Sequence, residues 1–191
     1  MNTRRILGFV AQVLSPSSKL ALDFTWGKML RNVDSTVKHQ TYDHIEEALD
    51  QAMEWLEQTK QCHPDYPDKL CTLAGLYQSM AGDNTVAEEL LRKALVVAET
   101  RDSPAGLQIA VPLNSLGLLL LQQRRGEEAE VVFQRLLKLV EDRLGEEHIE
   151  VATILENLAA VQRQTGHTDE ASKTRARATE IRRRARDEDS R

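Results

Sequence analysis

The amino-acid sequence predicts an all-α protein built as an array of helical hairpins. Its composition favours helices, because aromatic residues make up 4% of the chain and only nine glycines and five prolines occur in 191 residues. The chain also repeats itself with a period of 42 residues: Ala87, Ala129 and Ala171 each follow a polar turn and each open an apolar helical pattern. A fixed period of this length is typical of stacked hairpins rather than of a single closed core.

Small residues at fixed offsets are the third observation behind this fold class. Thirteen residues before each repeat alanine stands an alanine or a leucine, and a small residue follows it; the three pairs are Ala74-Gly75, Leu116-Gly117 and Leu158-Ala159. A side chain larger than a methyl group would hold two helix backbones apart. We therefore expect helices to cross closely at each of these pairs.

The first 40 residues do not follow the repeat and are expected to form a helical extension. A helix near residues 4–14 has one apolar face, no acidic residue precedes Asp23, and a second helix is expected near 19–33. We interpret the first helix as a docking helix that packs on the array and ends at Ser15-Pro16. An organelle-targeting segment and a helix lying on a membrane surface are the alternatives.

The remaining helices follow in the order of the repeat. A helix over about 43–60 corresponds to the second helix of a partial first repeat, and three pairs follow near 66–81 with 84–101, 107–124 with 126–144, and 148–165 with 168–186. Pro112 either lies in the first turn of its helix or kinks that helix by removing one hydrogen bond, and we favour a helix that begins near Ile109. The predicted domains are the extension over 1–40, a repeat domain over 41–187 and a tail over 188–191.

One motif identifies the type of repeat. The stretch His148-Ile-Glu-Val-Ala-Thr-Ile-Leu-Glu-Asn-Leu-Ala159, followed by Gly166 and Ala171, resembles the 42-residue tetratricopeptide repeat of the kinesin-light-chain type. Two earlier copies match the same pattern. The middle copy matches at Leu113-Asn114, Leu116-Gly117 and Glu128-Ala129. The first copy matches at His63-Pro64 and Leu73-Ala74-Gly75-Leu76-Tyr77, and it has one extra residue before Gly82. The likeness covers about residues 43–186 and implies a right-handed α-solenoid with about three full repeats, a partial first repeat and the N-terminal extension.

Two positions depart from the pattern of this family. Ile149 replaces the usual proline after His148, and Arg124 stands where the turn glycine belongs, with Gly126 two residues later. The second departure predicts that the middle turn is shifted towards Gly126.

The resemblance implies a concave groove that is lined by the first helix of each pair and binds a peptide segment. The outward positions of those helices form the predicted groove set: Asp68, Cys71, Gln78 and Ser79; Asn114, Leu118, Leu121 and Gln122; and Thr153, Glu156, Arg163 and Gln164. Leu118 and Leu121 make the middle of this groove apolar, so a short amphipathic or apolar segment is the favoured ligand. The alternative for each residue is an ordinary solvated helix position.

A basic C-terminal stretch is the second candidate site. Residues 172–186 carry seven cationic side chains against one acid, in a chain whose net charge is −5. Its arginines are expected to be mostly solvated and free to meet anions; the candidate residues are Arg175, Arg182, Arg183, Arg184 and Arg186. An acidic protein surface, RNA or anionic lipid would suit them. The alternative is a solvated terminal helix, stabilised by cations near its C-terminal end.

The sequence favours neither catalysis nor a cofactor. It contains no phosphate-binding glycine loop, no HExxH pair and no nucleophile elbow. Cys62, His63 and Cys71 are close in sequence but lack the paired spacing of metal ligands, so no metal site is predicted. With two cysteines and no apolar run long enough for a membrane span, a cytoplasmic location is predicted. A mitochondrial or membrane-surface location through the N-terminal helix is the alternative.

We therefore expect a non-enzymatic scaffold or adaptor that binds one or more proteins through a peptide or helix in the groove. Two alternatives remain. One is a structural or accessory subunit of a larger complex, with the N-terminal helices inserted into neighbours. The other is binding to an anionic surface or to nucleic acid through the C-terminal arginines, although the negative net charge makes nucleic acid the less favoured ligand.

Overall fold

The structure is a computed structural model, which describes residues 19–38, 45–59, 65–100 and 107–189. Within these ranges the chain forms eight α-helices and no β-strand, so the prediction of an all-α fold is confirmed. The helices are α1 Lys19–Lys38, α2 Ile45–Thr59, α3 Tyr66–Leu76, α4 Asn84–Thr100, α5 Ala110–Gln122, α6 Gly126–Leu144, α7 Ile149–Gln164 and α8 Thr168–Asp189. The helix predicted near 4–14 lies outside the described residues, as do Cys62 and His63.

Short irregular helical turns extend two of these helices. A 3₁₀ turn over Leu107–Ile109 leads into α5, which places Pro112 in the first helical turn, where its missing N–H is harmless. A π-helical turn over Tyr77–Ala81 continues α3. A π turn accommodates one extra residue in a helix. It therefore absorbs the additional residue that the sequence carries before Gly82.

The chain divides into two compact units, Met1–Leu90 and Leu91–Arg191. In the first unit α2 packs against both α1 and α3. The rings of Trp26 and Trp55 stack with their centroids 6.0 Å apart, and Lys69 Nζ lies 5.9 Å from the Trp26 ring and 3.3 Å from a carboxylate oxygen of Asp23. The hydroxyl of Tyr77 donates to Asp50 Oδ1 at 2.7 Å. These contacts join α1, α2 and α3 at their apolar faces.

In the second unit the helices α5 to α8 pack in sequence, each against the next. The repeat alanines Ala129 and Ala171 are buried there, and Ala87 is buried in the first unit, as the 42-residue period predicts. Gly117 of α5 faces the ring of Phe133 in α6, and a Cβ built on Gly117 would lie 2.8 Å from Phe133 Cζ. The expected close crossing of two helices is therefore present at this position.

The same expectation is wrong at Gly75. This residue is exposed, and a Cβ built on it would meet nothing within 4 Å. The small buried residue of this helix is Ala74, one position earlier. The extra residue held in the π turn explains the difference, because it shifts the register of α3 by one relative to the later repeats.

Arg124 occupies the position of the turn glycine and takes the backbone conformation of one. Its φ is +61°, compared with +68° at Gly82 and +89° at Gly166, which lie 42 residues to either side. The predicted shift of the middle turn to Gly126 is therefore wrong. A Cβ on Gly126 would instead lie 2.5 Å from Thr165 Cγ2, so this glycine permits the α5–α6 turn and the α7–α8 turn to approach each other.

Candidate functional site

The exposed side of α5 is the centre of the candidate site. Nearly all other sides of this helix are buried, through Pro112, Leu113, Leu116, Leu119 and Leu120 among others. What remains open is a stripe along one face, made of Val111, Asn114, Leu118, Leu121 and Gln122. Val111 is 50% exposed and Leu118 is 37% exposed. An apolar stripe of this kind on a helix that is otherwise buried is typical of an interaction surface.

Helix α7 lies beside this stripe. The amide of Asn157 donates to Asn114 Oδ1 over 3.5 Å, so the two helices present their polar edges to each other. Of the groove residues predicted on α7, Thr153, Glu156, Arg163 and Gln164 are all exposed. The structure thus brings the predicted residues of α5 and of α7 onto neighbouring helices within the second unit.

A cleft of about 450 Å³ opens between α5, α6 and α7. It contains Asn114 and Thr153 from the predicted groove set; its other lining residues are Ala110, Val111, Ser115, Leu136, Val140, Ile149, Glu150 and Ile154. Sequence reasoning missed most of these. Val111 could have been found, because it precedes Leu118 by seven residues and so lies on the same helix face. Ile149, which is 41% exposed, was identified only as a departure from the family pattern.

Glu156 and Thr153 also contact the basic C-terminal helix. Arg182 of α8 donates from Nε to Glu156 Oε1 at 2.7 Å and from Nη2 to Glu156 Oε2 at 2.8 Å. A third hydrogen bond runs from Arg182 Nη2 to Thr153 Oγ1 at 3.2 Å. The groove set and the basic set, which the sequence suggested as separate sites, therefore meet at this point.

Four of the five candidate arginines are exposed, as expected, but the expectation that most arginines of α8 are free to meet anions is wrong. Arg183 pairs with Glu180 and Asp187 and Arg184 pairs with Glu180 and Glu147, in each case at 2.8 Å. Hydrogen bonds from Arg183 and Arg184 and, to a lesser degree, the positive charges of these arginines lower the pKa of Glu180 to about 2. The same pairs raise the pKa values of both arginines.

Most of the other cations of this helix also have partners. Arg177 contacts Glu141 at 2.7 Å, and Arg186 donates to the backbone oxygen of Arg182 at 3.4 Å, whereas Arg175 is exposed. The positive charge counted within residues 172–186 overstates the charge of this surface. Carboxylates from outside α8 pair with its arginines, namely those of Glu141, Glu147 and Glu156. Much of the basic charge is thus balanced within the chain.

The residues predicted to line the groove in the first unit form a more polar set. Asp68 and Cys71 lie on α3, and Gln78 and Ser79 lie in the π turn. Asp68 and Ser79 are exposed, whereas Cys71 and Gln78 are half-buried. Burial, and to a lesser degree the charge of Asp68, raises the pKa of the Cys71 thiol to about 12. The thiol is therefore protonated at neutral pH, a state in which it is a poor nucleophile and a poor metal ligand.

One group of side chains in the described part of the chain could bring three metal-ligating atoms together. Ligand atoms of Glu130, His167 and Glu170 all lie within 4.8 Å of one another. His167 and Glu170 are exposed at the N-terminal end of α8, where the helix dipole favours an anion over a cation. His167 Nδ1 lies 3.8 Å from a Glu130 oxygen and 3.1 Å from Thr165 Oγ1, so His167 and Glu130 have partners within the protein. We assign no metal to this group.

The helical hairpins define the class of fold. Residues 108–184 match the family model of the tetratricopeptide repeat. The predicted resemblance to tetratricopeptide repeats of the kinesin-light-chain type is thereby confirmed, as is the repeat fold. This fold supports protein–protein interaction in general. Among the described residues, no helix is both long and apolar enough to cross a membrane.

Solved structures show the same fold. The crystal structure of BtubC (BKLC) from P. vanneervenii is 23% identical with a TM-score of 0.68, and the match covers 83% of this chain and 62% of that one. Two crystal structures of nearly identical TPR-like repeats, of kinesin light chain type, from Podosopora anserina are each 16% identical, with TM-scores of 0.62 and 0.61. Those matches cover 96% and 95% of this chain and 84% of theirs. No curated protein matches the chain.

Proposed function

We propose that this chain is a non-enzymatic scaffold or adaptor that binds a peptide segment of another protein along α5 and α7. One observation carries the proposal: the open stripe of α5, with Val111 and Leu118, runs directly into the cleft between α5, α6 and α7. When a partner covers exposed aliphatic side chains, the free energy of the complex falls by about 25 cal/mol per Å² of apolar area buried.

Polar groups beside the stripe support a peptide as the ligand. The Asn114 side chain has two donors and two acceptor lone pairs, and its interaction with Asn157 is long at 3.5 Å. An amide in this position is suited to hydrogen-bond the backbone of an extended or helical segment, which gives direction without strict dependence on sequence. Leu118 and Leu121 then provide the apolar contact further along the helix.

The proposal is tested by placing a charge within the apolar stripe. Val111→Asp combined with Leu118→Asp should abolish capture of partner proteins, because both carboxylates would be desolvated by a bound segment. The matched control is Val131→Asp on α6, whose side chain is 67% exposed and does not line the cleft. Tagged full-length variants are compared by quantitative mass spectrometry of co-purified proteins, with circular dichroism to check that helicity is kept.

The same experiment distinguishes peptide binding in the groove from the alternative functions of the chain. Equal partner recovery by the parent and the double variant would overturn groove binding and favour a structural subunit of a larger complex, held by other surfaces. Loss of partners with Val131→Asp as well would indicate a binding face on α6 instead.

Anion binding through α8 is tested by replacing four arginines with glutamine: Arg182, Arg183, Arg184 and Arg186. Because the first three already pair with carboxylates of the chain, we expect neither the parent nor this variant to bind RNA at physiological salt. Tight RNA binding by the parent that is lost in the variant would make nucleic-acid binding through α8 the favoured function, ahead of peptide binding along α5 and α7. The cytoplasmic location stays a prediction.

A further inference from the structure

We infer that the cleft between α5, α6 and α7 takes a basic amphipathic segment, in which aliphatic side chains alternate with lysine or arginine. This inference rests on the proposed groove function and names the chemistry of its ligand. It follows from the distribution of apolar and charged side chains around the cleft.

The floor and the rim of the cleft are aliphatic. Leu136 and Val140 of α6 and Ile154 of α7 are buried, so they form a fixed floor. Val111 and Ile149 are the exposed apolar side chains at its rim. A volume of about 450 Å³ is enough for a few aliphatic side chains but not for a folded element. The ligand must therefore insert aliphatic side chains from a segment that lies across the opening.

Glu150 is the charged side chain that lines this cleft among the described residues. It lies in the first turn of α7 and is exposed, and the other polar lining residues, Asn114, Ser115 and Thr153, are neutral. Glu156, the acid of the predicted groove set on α7, is paired with Arg182. A cation on the ligand would thus meet Glu150, whereas an acid on the ligand would be repelled by it.

The N-terminus of α7 beside the cleft does not reverse this preference for a basic ligand. The helix N-terminus beside the cleft is already capped, because the backbone N–H of Glu150 donates to His148 Nδ1 at 3.2 Å, so this donor is not available to an anion. The dipole of α7 places only about half a positive charge at this N-terminus, which does not cancel the full negative charge of Glu150.

The test selects ligands from a displayed library of random 16-residue peptides on the full-length chain (the peptide length is roughly that of a short helix). Selections are run in parallel on the parent and on Glu150→Lys, Val111→Asp and Glu127→Lys. Glu127→Lys is the matched control, because Glu127 is exposed, is the second residue of α6 as Glu150 is of α7, and does not line the cleft. Selected peptides are synthesised and titrated by calorimetry at low and high salt.

We expect the parent and Glu127→Lys to select peptides in which lysine or arginine neighbours aliphatic residues, and Glu150→Lys to select acidic ones. A parent-selected peptide should bind about two- to fivefold more weakly to Glu150→Gln, as is usual for an exposed ion pair, and the difference should shrink at high salt.

The other outcomes distinguish failure of the basic-ligand inference from failure of the groove function. Peptides that need Val111 but show no basic excess, or the same composition from Glu150→Lys, would overturn the basic ligand while leaving groove binding in place. Failure to select any peptide, or identical peptides from Val111→Asp, would overturn the groove function itself.

Discussion

Arg182 of α8 and Glu156 of α7 form a bidentate ion pair, with Nε–Oε1 at 2.7 Å and Nη2–Oε2 at 2.8 Å. The two parallel hydrogen bonds match the planar fork of the guanidinium to the carboxylate. Because Glu156 lies on α7, which lines the candidate site, this pair balances the charge at one side of that site. It also attaches α8 to that side of α7.

The first prediction concerns the strength of this pair. Both side chains are partly exposed, so the interaction should contribute no more than about 1 kcal/mol to stability. A double-mutant cycle with Arg182→Gln and Glu156→Gln, measured by urea denaturation, should give a coupling energy of that size which falls when salt is added. A coupling far above about 1 kcal/mol, or one that does not fall when salt is added, would contradict the description of this pair as solvent-exposed.

The second prediction concerns pH. The pKa of Glu180 is lowered from 4.5 to about 2 by Arg183 and Arg184. A carboxyl group whose pKa is lower in the folded state stabilises the fold above its unfolded pKa, and this contribution is lost as the pH falls towards 2.

Melting temperatures of the parent and of Glu180→Gln, measured from neutral pH down to acid, should therefore differ most above about pH 5 and converge near pH 2. The group is exposed, so the difference should also shrink in high salt. A constant difference at all pH values would contradict the arginine contacts of Glu180.

The third prediction compares two glycines. Gly117→Ala should destabilise the protein by about 1–3 kcal/mol, because its Cβ would lie 2.8 Å from the Phe133 ring. Gly75→Ala adds the same atom in open space on a helix and should instead stabilise by roughly 0.5–1 kcal/mol, through the better helix propensity of alanine. Chemical denaturation of both variants measures the difference. Effects of the same sign would contradict the one-residue register shift of α3.

The fourth prediction concerns the middle turn. Arg124 has a φ of +61° and an exposed side chain, so it carries the cost of a left-handed backbone without a compensating buried contact. Arg124→Gly should therefore raise stability by about 1 kcal/mol. Gly166→Ala, at the equivalent turn 42 residues later, should lower stability by a similar amount. A destabilising effect of Arg124→Gly would show that the arginine makes a contact that outweighs its strain.

The sequence by itself determined the helices and the face of α5 that stays open. Both depend on spacing along one chain: the 42-residue recurrence of Ala87, Ala129 and Ala171 places the hairpins, and helical periodicity puts Asn114 and Leu118 on one side of α5. Residues close in sequence share a helix, so their relative directions follow from the helical repeat alone.

Only the tertiary structure decided which distant side chains meet. Arg182 lies 26 residues from Glu156, and Arg184 lies 37 residues from Glu147, yet each pair is in contact. The cleft likewise needs three helices, since Val111, Val140 and Ile149 come from α5, α6 and α7. Such contacts depend on where packed helices cross and how far each is rotated about its axis. Those quantities are set by the interlocking of buried side chains such as Phe133 against Gly117, and periodicity along the chain does not specify them.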